Sequence, residues 1–392
     1  MKRILLLSFY YTPDLCAGSF RTAALINELI PLAKSLNIHI DLVTTMPNRY
    51  SNYQAKTQAY EQEENLHICR VQLPCHHSGF IDQAKAFAAY YFSVKKFLRK
   101  KKKYDCVVAT SSRLFTAFLA ANAAKKYRCP LLLDIRDIFT ETMEALLSRP
   151  IKILFLPIFK QVENYTFKKA SVINLVSPDF ASYLLSKINS ACHLTYISNG
   201  VDVCFNNITT TKNKNKIKTI LYAGNIGLGQ ALEKIIPYLA QHTIEECLFK
   251  IIGSGGKLQA LKAACAGLKN IEIIDPISRE ALIREYQNAD ILFLHLGKHE
   301  PFERVLPSKI FEYTMTGKPI LAGISGYSER FLQEHVSHTE VFPPCDGALG
   351  LEKLRVLMQN QETERDTTLF YEKFNRKSLM QSLSKEIVNL VV

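Results

Sequence analysis

Short apolar runs of strand length alternate along the chain with longer amphipathic segments. In the first half, residues 20–36 and 115–126 show the apolar spacing of helices that pack on a core. Strands that alternate with helices form a parallel sheet covered on both faces. The predicted strands of this half are residues 4–9, 38–43, 67–73, 106–109, 131–135, 172–176 and 194–197.

A second alternating set follows a polar stretch of low complexity, residues 204–217, which we interpret as a linker. At 392 residues the chain is too long for one ordinary core. We therefore expect an α/β protein with domains at residues 1–203 and 218–368, facing each other across a cleft. Residues 369–392 are predicted to form a helix that packs back toward the first domain. The predicted strands of the second domain are residues 219–223, 248–252, 271–274, 291–295, 319–322 and 340–342.

The composition is that of a soluble globular protein, with 47% hydrophobic and 22% charged residues. The sequence has no apolar run near the ~20 residues of a membrane span. The apolar run at the N-terminus is only strand-length and lacks a small-residue cleavage site, so we expect the protein to stay in the cytoplasm. The ten cysteines are scattered, without a C-x-x-C pair, and indicate reduced thiols.

The positive charge is concentrated in the first half of the chain. Residues 1–200 carry 26 Lys and Arg against 14 Asp and Glu, whereas residues 201–392 carry 23 against 22. An anionic partner is therefore expected to bind the first half.

The stretch PSKIFEYTMTGKPI, residues 307–320, contains the strongest candidate site. A helix is predicted to begin at Pro307 and to end before Gly317. The first-turn N–H groups, with the Ser308 hydroxyl and the Lys309 cation, would bind an anion, and Glu312 would share their face. Such a site suits a nucleotide diphosphate whose ribose needs an acceptor. A surface helix with an ordinary Lys–Glu pair remains the alternative.

Glycine-containing turns follow three predicted strands. Gly18 and Ser19 follow the first strand, where glycine allows a ligand close to the backbone and serine can cap the next helix. In the second domain, GNIGLGQ at residues 224–230 and GSGG at residues 253–256 follow two further strands. Each is a weak signal alone, but carboxyl ends of parallel strands are where ligands bind in such folds.

The motif DIRD, residues 134–137, ends a buried strand of the first domain. Asp134, Arg136 and Asp137 would either bind a polyhydroxylated ligand or neutralise one another. We favour the first interpretation, because charged residues so close to an apolar strand usually have a function.

Several motifs of known chemistry are missing from the sequence. It has no Walker A motif, no G-x-G-x-x-G after the first strand and no G-x-S-x-G elbow. Neither a D-x-D motif nor a His cluster predicts a metal site. We therefore expect no metal and no cofactor, with a nucleotide held by helix termini and cations.

Residues 80–104 form a basic amphipathic stretch. Phe87, Tyr91, Val94 and Leu98 recur at helical spacing, and basic residues crowd the C-terminal end. A helix packed on the core with a solvated charged end is one interpretation; a helix on an anionic membrane surface is the other, which we favour. The predicted membrane-binding residues are Lys95, Lys96, Arg99 and Lys100.

Taken in order, ISNGVD, GNIGLGQALEKII, GSGG and PSKIFEYTMTGKPI resemble glycosyltransferase family 4 over nearly the whole chain. That family implies a GT-B fold and retaining, nucleotide-sugar-dependent transfer. With DIRD, the sequence looks most like the bacterial branch that builds O-antigen and capsule repeat units on a polyprenyl diphosphate, a part of lipopolysaccharide biosynthesis.

The resemblance assigns roles to individual positions. Glu312 matches the glutamate that binds the ribose, and Ser308 with Lys309 matches the grip on the diphosphate. Asn225 and Gln230 stand where the family often has Arg and Lys, and Arg304 replaces the family's first glutamate. The family's first-domain His is replaced by residues 111–112, Ser-Ser. Further donor contacts are expected at Gly18, Ser19, Gly253, Ile277 and Leu306, with Arg136, Asp137 and Lys309 as the catalytic residues and Asp134 as a contact to sugar or acceptor.

These residues together predict a metal-independent hexosyltransferase. Its donor would be a nucleotide diphosphate sugar, UDP-linked rather than GDP-linked, and its acceptor a lipid-linked saccharide. The protein would be peripheral on the inner face of the cytoplasmic membrane. Three alternatives stay open: a non-catalytic homologue that partners an active subunit, a GT-B nucleotide-sugar epimerase or hydrolase, and a nucleic-acid binder, which the lack of a recognised fold disfavours.

Overall fold

The computed structural model describes residues 1–48, 57–74, 80–99, 103–111, 113–206, 208, 216–359 and 366–392. The chain divides into two compact units. Unit 1 comprises residues 1–199 and 376–392, and unit 2 comprises residues 200–375.

Unit 1 is built on a sheet of eight strands among the described residues, in the order β3-β4-β2-β1-β5-β6-β7-β8. All neighbouring strands are parallel except β3 and β4. The helices follow the strands in sequence, as the alternation predicts. Its elements are β1 (Lys2–Ser8), α1 (Ala17–Ser35), β2 (Ile38–Thr45), β3 (Tyr60–Gln62), β4 (Leu66–Val71), α2 (Phe80–Arg99), β5 (Cys106–Ser111), α3 (Leu114–Tyr127), β6 (Leu131–Ile135), α4 (Phe139–Leu146), α5 (Arg149–Lys168), β7 (Val172–Leu175), α6 (Phe180–Leu184) and β8 (His193–Thr195).

Unit 2 carries a parallel sheet of six strands among the described residues, in the order β11-β10-β9-β12-β13-β14. Short 3₁₀ helices lie at Val203–Phe205 and Glu300–Arg304. The elements of the unit are β9 (Lys218–Ala223), α7 (Leu232–Gln241), β10 (Cys247–Ile252), α8 (Leu258–Ala264), β11 (Ile271–Ile274), α9 (Arg279–Asn288), β12 (Ile291–His295), α10 (Lys309–Met315), β13 (Ile320–Gly323), α11 (Tyr327–His335), β14 (Thr339–Phe342), α12 (Gly347–Gln359) and α13 (Thr368–Phe374).

The C-terminal helix α14 (Arg376–Asn389) returns to unit 1 and packs beside α1. Leu383 and Ile387 of α14 share a buried apolar cluster with Leu25 and Leu29 of α1 and with Ile4 of β1. The burial of these side chains removes apolar area from water and fixes the end of the chain on the first sheet.

The predicted helix over residues 369–392 is two helices, α13 and α14. The break falls at Asn375, because Val201 N–H bonds to the Phe374 carbonyl at 2.8 Å and Val201 pairs with Asn375 as a parallel bridge. A backbone engaged in strand-like pairing cannot continue the helix.

The boundary between the units lies between residues 199 and 200, earlier than the predicted end at residue 203. Phe205 is fully buried in unit 2, where its ring lies 6.1 Å from that of Tyr286. That contact draws the segment after Asn199 into unit 2. Most of the predicted linker, residues 207 and 209–215, lies outside the described residues.

In helix α2 the buried stripe consists of Ala86, Tyr90, Val94 and Leu98. The prediction was right for Val94 and Leu98. It was wrong by one position for Phe87 and Tyr91, which are only half-buried. The Tyr90 hydroxyl donates to the Val43 carbonyl at 2.9 Å and helps hold the helix against β2. The described part of the chain contains no helix with both the length and the apolarity that crossing a membrane requires.

Candidate functional site

The centre of the sheet in unit 2 is the point where its strand order reverses. β9 lies between β10 and β12, and the chain runs outward from there in both directions. In such sheets, ligands bind beyond the carboxyl ends of the two strands at this point. The residues that follow β9 and β12 are 224–230 and 296–309, which include most of the predicted donor-binding residues.

Lys309 and Gly224 meet at this edge. The Lys309 ammonium donates to the Tyr222 hydroxyl at 3.1 Å and lies 4.3 Å from the centre of the Tyr222 ring. A side-chain Cβ on Gly224, whose φ is +144°, would lie 2.2 Å from Lys309 Nζ. Gly224 therefore leaves the space that the lysine occupies, and the cation lies against the end of β9.

Burial lowers the pKa of Lys309 to about 8, although the Glu312 carboxylate acts in the opposite direction. A cation that is poorly compensated in the free protein gains most when an anion arrives. The position and the pKa of Lys309 therefore suit binding of a diphosphate.

Glu312 lies one turn further along α10 and is held by two partners. Arg279 Nη2 donates to Glu312 Oε1 at 3.3 Å, and the Tyr286 hydroxyl donates to Oε2 at 3.3 Å. Arg279 also pairs with Asp202. Burial lowers the pKa of Arg279, but Glu312 and Asp202 raise it more, so it remains charged. This network fixes the orientation of the Glu312 carboxylate before any ligand binds.

The turn after β9 is closed by two of the predicted residues. Asn225 Nδ2 donates to Gln230 Oε1 at 2.9 Å, and the same oxygen accepts from Gly227 N–H at 3.2 Å. The Tyr222 hydroxyl donates to the Asn225 carbonyl at 2.6 Å. In the free protein these amides therefore shape the turn beside Lys309.

His295, at the end of β12, holds the turn after β9 in place. Its Nδ1 lies 2.6 Å from the Gln230 carbonyl, while its Nε2 accepts from Cys345 N–H at 3.0 Å. Nδ1 therefore carries the proton and donates. Burial lowers the pKa of His295 to about 4, so the ring is neutral at neutral pH.

Gly253 brings the end of β10 against the end of β9. A Cβ at Gly253 would lie 1.8 Å from the Gly224 carbonyl oxygen, so no side chain fits there. The glycine thus allows the close approach of two backbones, and its role as a ligand contact stays a prediction.

The remaining predicted donor residues occupy the loops around this edge. Leu306 is buried, and Ser308 and Ile277 are half-buried in the segments before α10 and α9. Helix α10 begins at Lys309, with Ser308 as its N-cap, rather than at Pro307. Arg304 Nη2 donates to Glu300 Oε1 at 2.9 Å, within the same short 3₁₀ helix. Gly317, with φ +67°, ends the helix as predicted.

In unit 1 the reversal point lies between β1 and β5. Here the Arg136 guanidinium covers Gly18, since a Cβ at Gly18 would lie 2.7 Å from both terminal nitrogens. Arg136 Nε is buried and has no hydrogen-bond partner among the described residues, and neither has the buried Ser19 hydroxyl. Ser19 lies inside α1 instead of capping it, because the helix begins at Ala17 after Cys16.

A small pocket at this edge places a second arginine beside Arg136. Arg113 Nη2 donates to the Tyr10 hydroxyl at 2.6 Å, and its guanidinium lies 4.3 Å from the centre of the Phe9 ring. Two guanidinium groups in one pocket suit an anion. The lining residues include Ser8, Tyr10, Gly18, Thr110, Arg113 and Arg136.

Asp134 does not face this pocket, contrary to the expectation that it contacts sugar or acceptor. Both of its oxygens are bound by Arg21, at 2.8 and 2.9 Å, and Asn174 donates to Oδ1 at 2.7 Å. Arg21 also donates to the carbonyls of Ile197 and Ser198. Asp134 is therefore part of the buried framework of unit 1, while Asp137, two residues beyond the strand, is exposed.

Exposed basic and apolar side chains lie on two helices that pack on α3. Lys95, Lys96 and Arg99 are exposed on α2 as predicted, and Lys100 lies outside the described residues. On α5, which the sequence analysis did not single out, Ile153 and Leu154 are 72% and 64% exposed. Single exposed apolar residues are common, but neighbours in one helix form a patch.

Several residues of the site were missed by the sequence analysis. Arg279 and Tyr286 hold Glu312, Tyr222 holds Lys309, and Arg21 holds Asp134. Asp202, which pairs with Arg279, did have a sequence signal, because its motif ISNGVD belongs to the family resemblance.

The sequence of unit 2 matches a known family. Residues 206–369 match the model of glycosyl transferases group 1. These residues form a glycosyl transferases group 1 domain. The domain contains Lys309, Glu312, the turn after β9 and the elements that position them.

One curated relative is the putative colanic acid biosynthesis glycosyl transferase WcaI of Escherichia coli (strain K12). It is 32% identical over 131 residues, which cover 33% of this chain and 31% of the relative. The match thus spans about a third of the relative's own length.

Two solved structures are similar over almost the whole chain. Sucrose-phosphate synthase of Thermosynechococcus elongatus has a TM-score of 0.66 at 13% identity, covering 99% of this chain and 95% of that one. Anabaena HepE in complex with UDP and glucose has a TM-score of 0.62 at 14% identity, covering 100% and 97%. At such identities the likeness concerns the fold. The domain match and this likeness confirm the predictions of a glycosyltransferase domain and of the GT-B fold.

Proposed function

We propose that the protein is a retaining glycosyltransferase of the family 4 type. It would move a sugar from a nucleotide diphosphate sugar, UDP-linked, to a lipid-linked saccharide in the synthesis of a bacterial surface polysaccharide such as O-antigen or capsule. The observation that carries this proposal is the Lys309 cation, held against Gly224 at the end of β9, with Glu312 one turn away.

We propose one orientation for the donor in unit 2. The diphosphate would bind Lys309 and the first N–H groups of α10, while the ribose hydroxyls would donate to Glu312. Arg279 and Tyr286 hold the Glu312 carboxylate in place at 3.3 Å each. The complex of HepE contains UDP and glucose, and the relative WcaI is named for colanic acid biosynthesis, which supports this class of donor and pathway.

The chemistry needs a leaving group that is stabilised as its charge develops. The bond between the sugar C1 and the diphosphate oxygen breaks, and the acceptor hydroxyl forms the new bond from the same face. The acceptor proton passes to the departing diphosphate oxygen. Lys309 would stabilise the negative charge of that diphosphate through a preformed electrostatic arrangement that needs no metal ion.

The acceptor is proposed to bind unit 1. Arg136 and Arg113 line a pocket there, and Arg136 Nε has no partner among the described residues. Guanidinium groups bind phosphates in bidentate geometry, which suits the diphosphate of a polyprenyl-linked saccharide. Asp137 is exposed near this edge and is the proposed contact for an acceptor hydroxyl.

The exposed cations of α2 and the exposed apolar residues of α5 are proposed to hold the protein on an anionic membrane. Phe87 on α2 and Phe159 on α5 both contact Phe115 of α3, with ring centres 5.0 and 6.0 Å apart. The two helices are therefore neighbours across α3. A lipid-linked acceptor would be reached most easily by a protein at the cytoplasmic face of the membrane.

The deciding experiment is a panel of UDP-, GDP- and dTDP-sugars assayed with lipid-linked acceptors, with and without EDTA. We expect transfer from a UDP-sugar with retention of the anomeric configuration and with unchanged initial rates in EDTA. Binding of UDP without any turnover would favour a non-catalytic homologue. Conversion of the free nucleotide sugar would favour an epimerase or hydrolase, and activity restored only by Mn²⁺ would contradict the proposed role of Lys309.

A further inference from the structure

Two histidines and an aspartate lie together in unit 1, away from the carboxyl ends of its strands. His39 and Asp41 are on β2, and His67 is on β4. They stand close to the amino ends of the strands, whereas Gly18 and Arg136 lie at the other edge. The sequence analysis found no His cluster, because His67 is 28 residues from His39 along the chain.

Sheet geometry brings the three side chains to one face. Asp41 and His67 are register partners in the parallel pair of β2 and β4. His39 precedes Asp41 by two residues and therefore points to the same face. The strand pairing, not local sequence, creates the cluster.

The three potential ligand atoms form a nearly equilateral triangle. His39 Nε2 lies 3.0 Å from His67 Nδ1, and Asp41 Oδ1 lies 3.2 Å from His67 Nδ1 and 3.5 Å from His39 Nε2. Ligands about 2.0–2.1 Å from a metal ion at tetrahedral or octahedral angles are about 3.0–3.4 Å apart. The atoms therefore already stand at the separations that a bound ion requires.

Other groups orient the carboxylate so that Oδ1 faces the two rings. The Tyr104 hydroxyl donates to Asp41 Oδ2 at 2.6 Å, and Arg3 Nη2 donates to the same oxygen at 2.7 Å. Metal-binding carboxylates are commonly held in this way by hydrogen bonds to their second oxygen. Asp41 is buried and His67 is half-buried, so an ion would reach the site past His67.

We propose that His39, Asp41 and His67 bind one divalent metal ion of the first transition row, such as zinc. Two imidazoles and one carboxylate suit this class of ion, and water would complete the coordination. The ion would join β2 to β4 and stabilise the unit. It is separate from the proposed transfer reaction, whose leaving group is bound in unit 2.

The test is a titration of the tag-free protein, freed of metal by a chelator and desalted, with Co²⁺. We expect one equivalent to give the visible absorption of a nitrogen- and oxygen-ligated cobalt ion, which Zn²⁺ then displaces. Zinc should also raise the Tm by several degrees, because a ligand that binds only the folded state stabilises it. No visible band in the wild-type protein would overturn the proposal, and so would a strong near-ultraviolet thiolate band.

One variant at the proposed site and one matched control locate the ion. His67→Asn should bind at least ten-fold more weakly and lose the zinc-dependent shift in Tm. His193→Asn, which removes an exposed histidine on β8 of the same sheet, should behave like the wild type. Equal binding by His67→Asn and the wild type would place the metal elsewhere. UDP binding by each variant, measured in parallel, checks that unit 2 is intact.

Discussion

Lys309 occupies the space that a side chain at Gly224 would need, with 2.2 Å between the lysine Nζ and the position of the missing Cβ. The two residues are 85 positions apart along the chain, and each follows a strand at the centre of the sheet in unit 2. The lack of a side chain at Gly224 therefore allows the lysine ammonium to lie at the end of β9.

Gly224→Ala should displace Lys309 from the end of β9. We expect kcat/KM for the donor to fall ten-fold or more, and stability to fall by about 1–3 kcal/mol because φ is positive. Gly267→Ala is the matched control, since Gly267 has φ +85° and, apart from its chain neighbours, no atom of the described residues lies within 4 Å of its missing Cβ. It should lose stability without losing activity. Equal loss of activity in both variants would show that backbone strain, not the lysine, is responsible.

Substitutions of Lys309 and Glu312 should affect different kinetic constants. Glu312→Gln weakens charge-assisted hydrogen bonds worth about 1.5–3 kcal/mol each, so it should raise KM for the donor and weaken UDP binding alike. Lys309→Ala removes a charge that matters most as the diphosphate departs, and should lower kcat ten-fold or more. If both variants keep wild-type kcat and KM, the donor does not bind at this helix.

The activity should fall at alkaline pH. Lys309 has a pKa of about 8 in the free protein, so it is charged below that pH and loses its proton above it. Because kcat/KM reports ionisation of the free enzyme, its value for the donor should decline above about pH 8. Lys309→Arg, whose guanidinium stays charged, should lack this decline even if its activity is lower. A wild-type profile that stays flat through about pH 9.5 would mean that the lysine charge is not needed.

The exposed cations of α2 should bind anionic vesicles. Each basic residue at such a surface contributes about 1 kcal/mol. Replacement of Lys95, Lys96 and Arg99 by Gln should therefore weaken the affinity for anionic vesicles, measured by co-sedimentation, roughly 100-fold. The control replaces Lys262, Lys269 and Arg284, exposed residues of unit 2, and changes the net charge equally. It should leave binding nearly unchanged. Equal loss in both triple variants would indicate a general effect of net charge.

The apolar residues of α5 are tested by a further pair of changes, Ile153→Ser and Leu154→Ser. They should weaken the part of vesicle binding that survives at high salt, because screening removes the electrostatic part only. Binding that disappears fully in salt for the wild type would contradict a role for α5.

The alternation of apolar runs determined the two parallel sheets, because burial of both faces of a strand needs nearly continuous apolar residues. All thirteen predicted strands overlap strands of the structure. Strand β3, only three residues long at the edge of the sheet, was missed because such a run has no recognisable period. The family resemblance likewise located Lys309, Glu312 and the turn at residues 224–230.

Only the tertiary structure decided what each charged side chain does. DIRD places Asp134 and Arg136 two residues apart, yet Asp134 is buried against Arg21 and Arg136 covers Gly18. Arg279 reaches Glu312 from another helix, and His67 reaches Asp41 through strand pairing. These partners are far apart in sequence, and their contacts depend on strand order and register. Local periodicity specifies which residues are buried, whereas the packing of the elements specifies which of them meet.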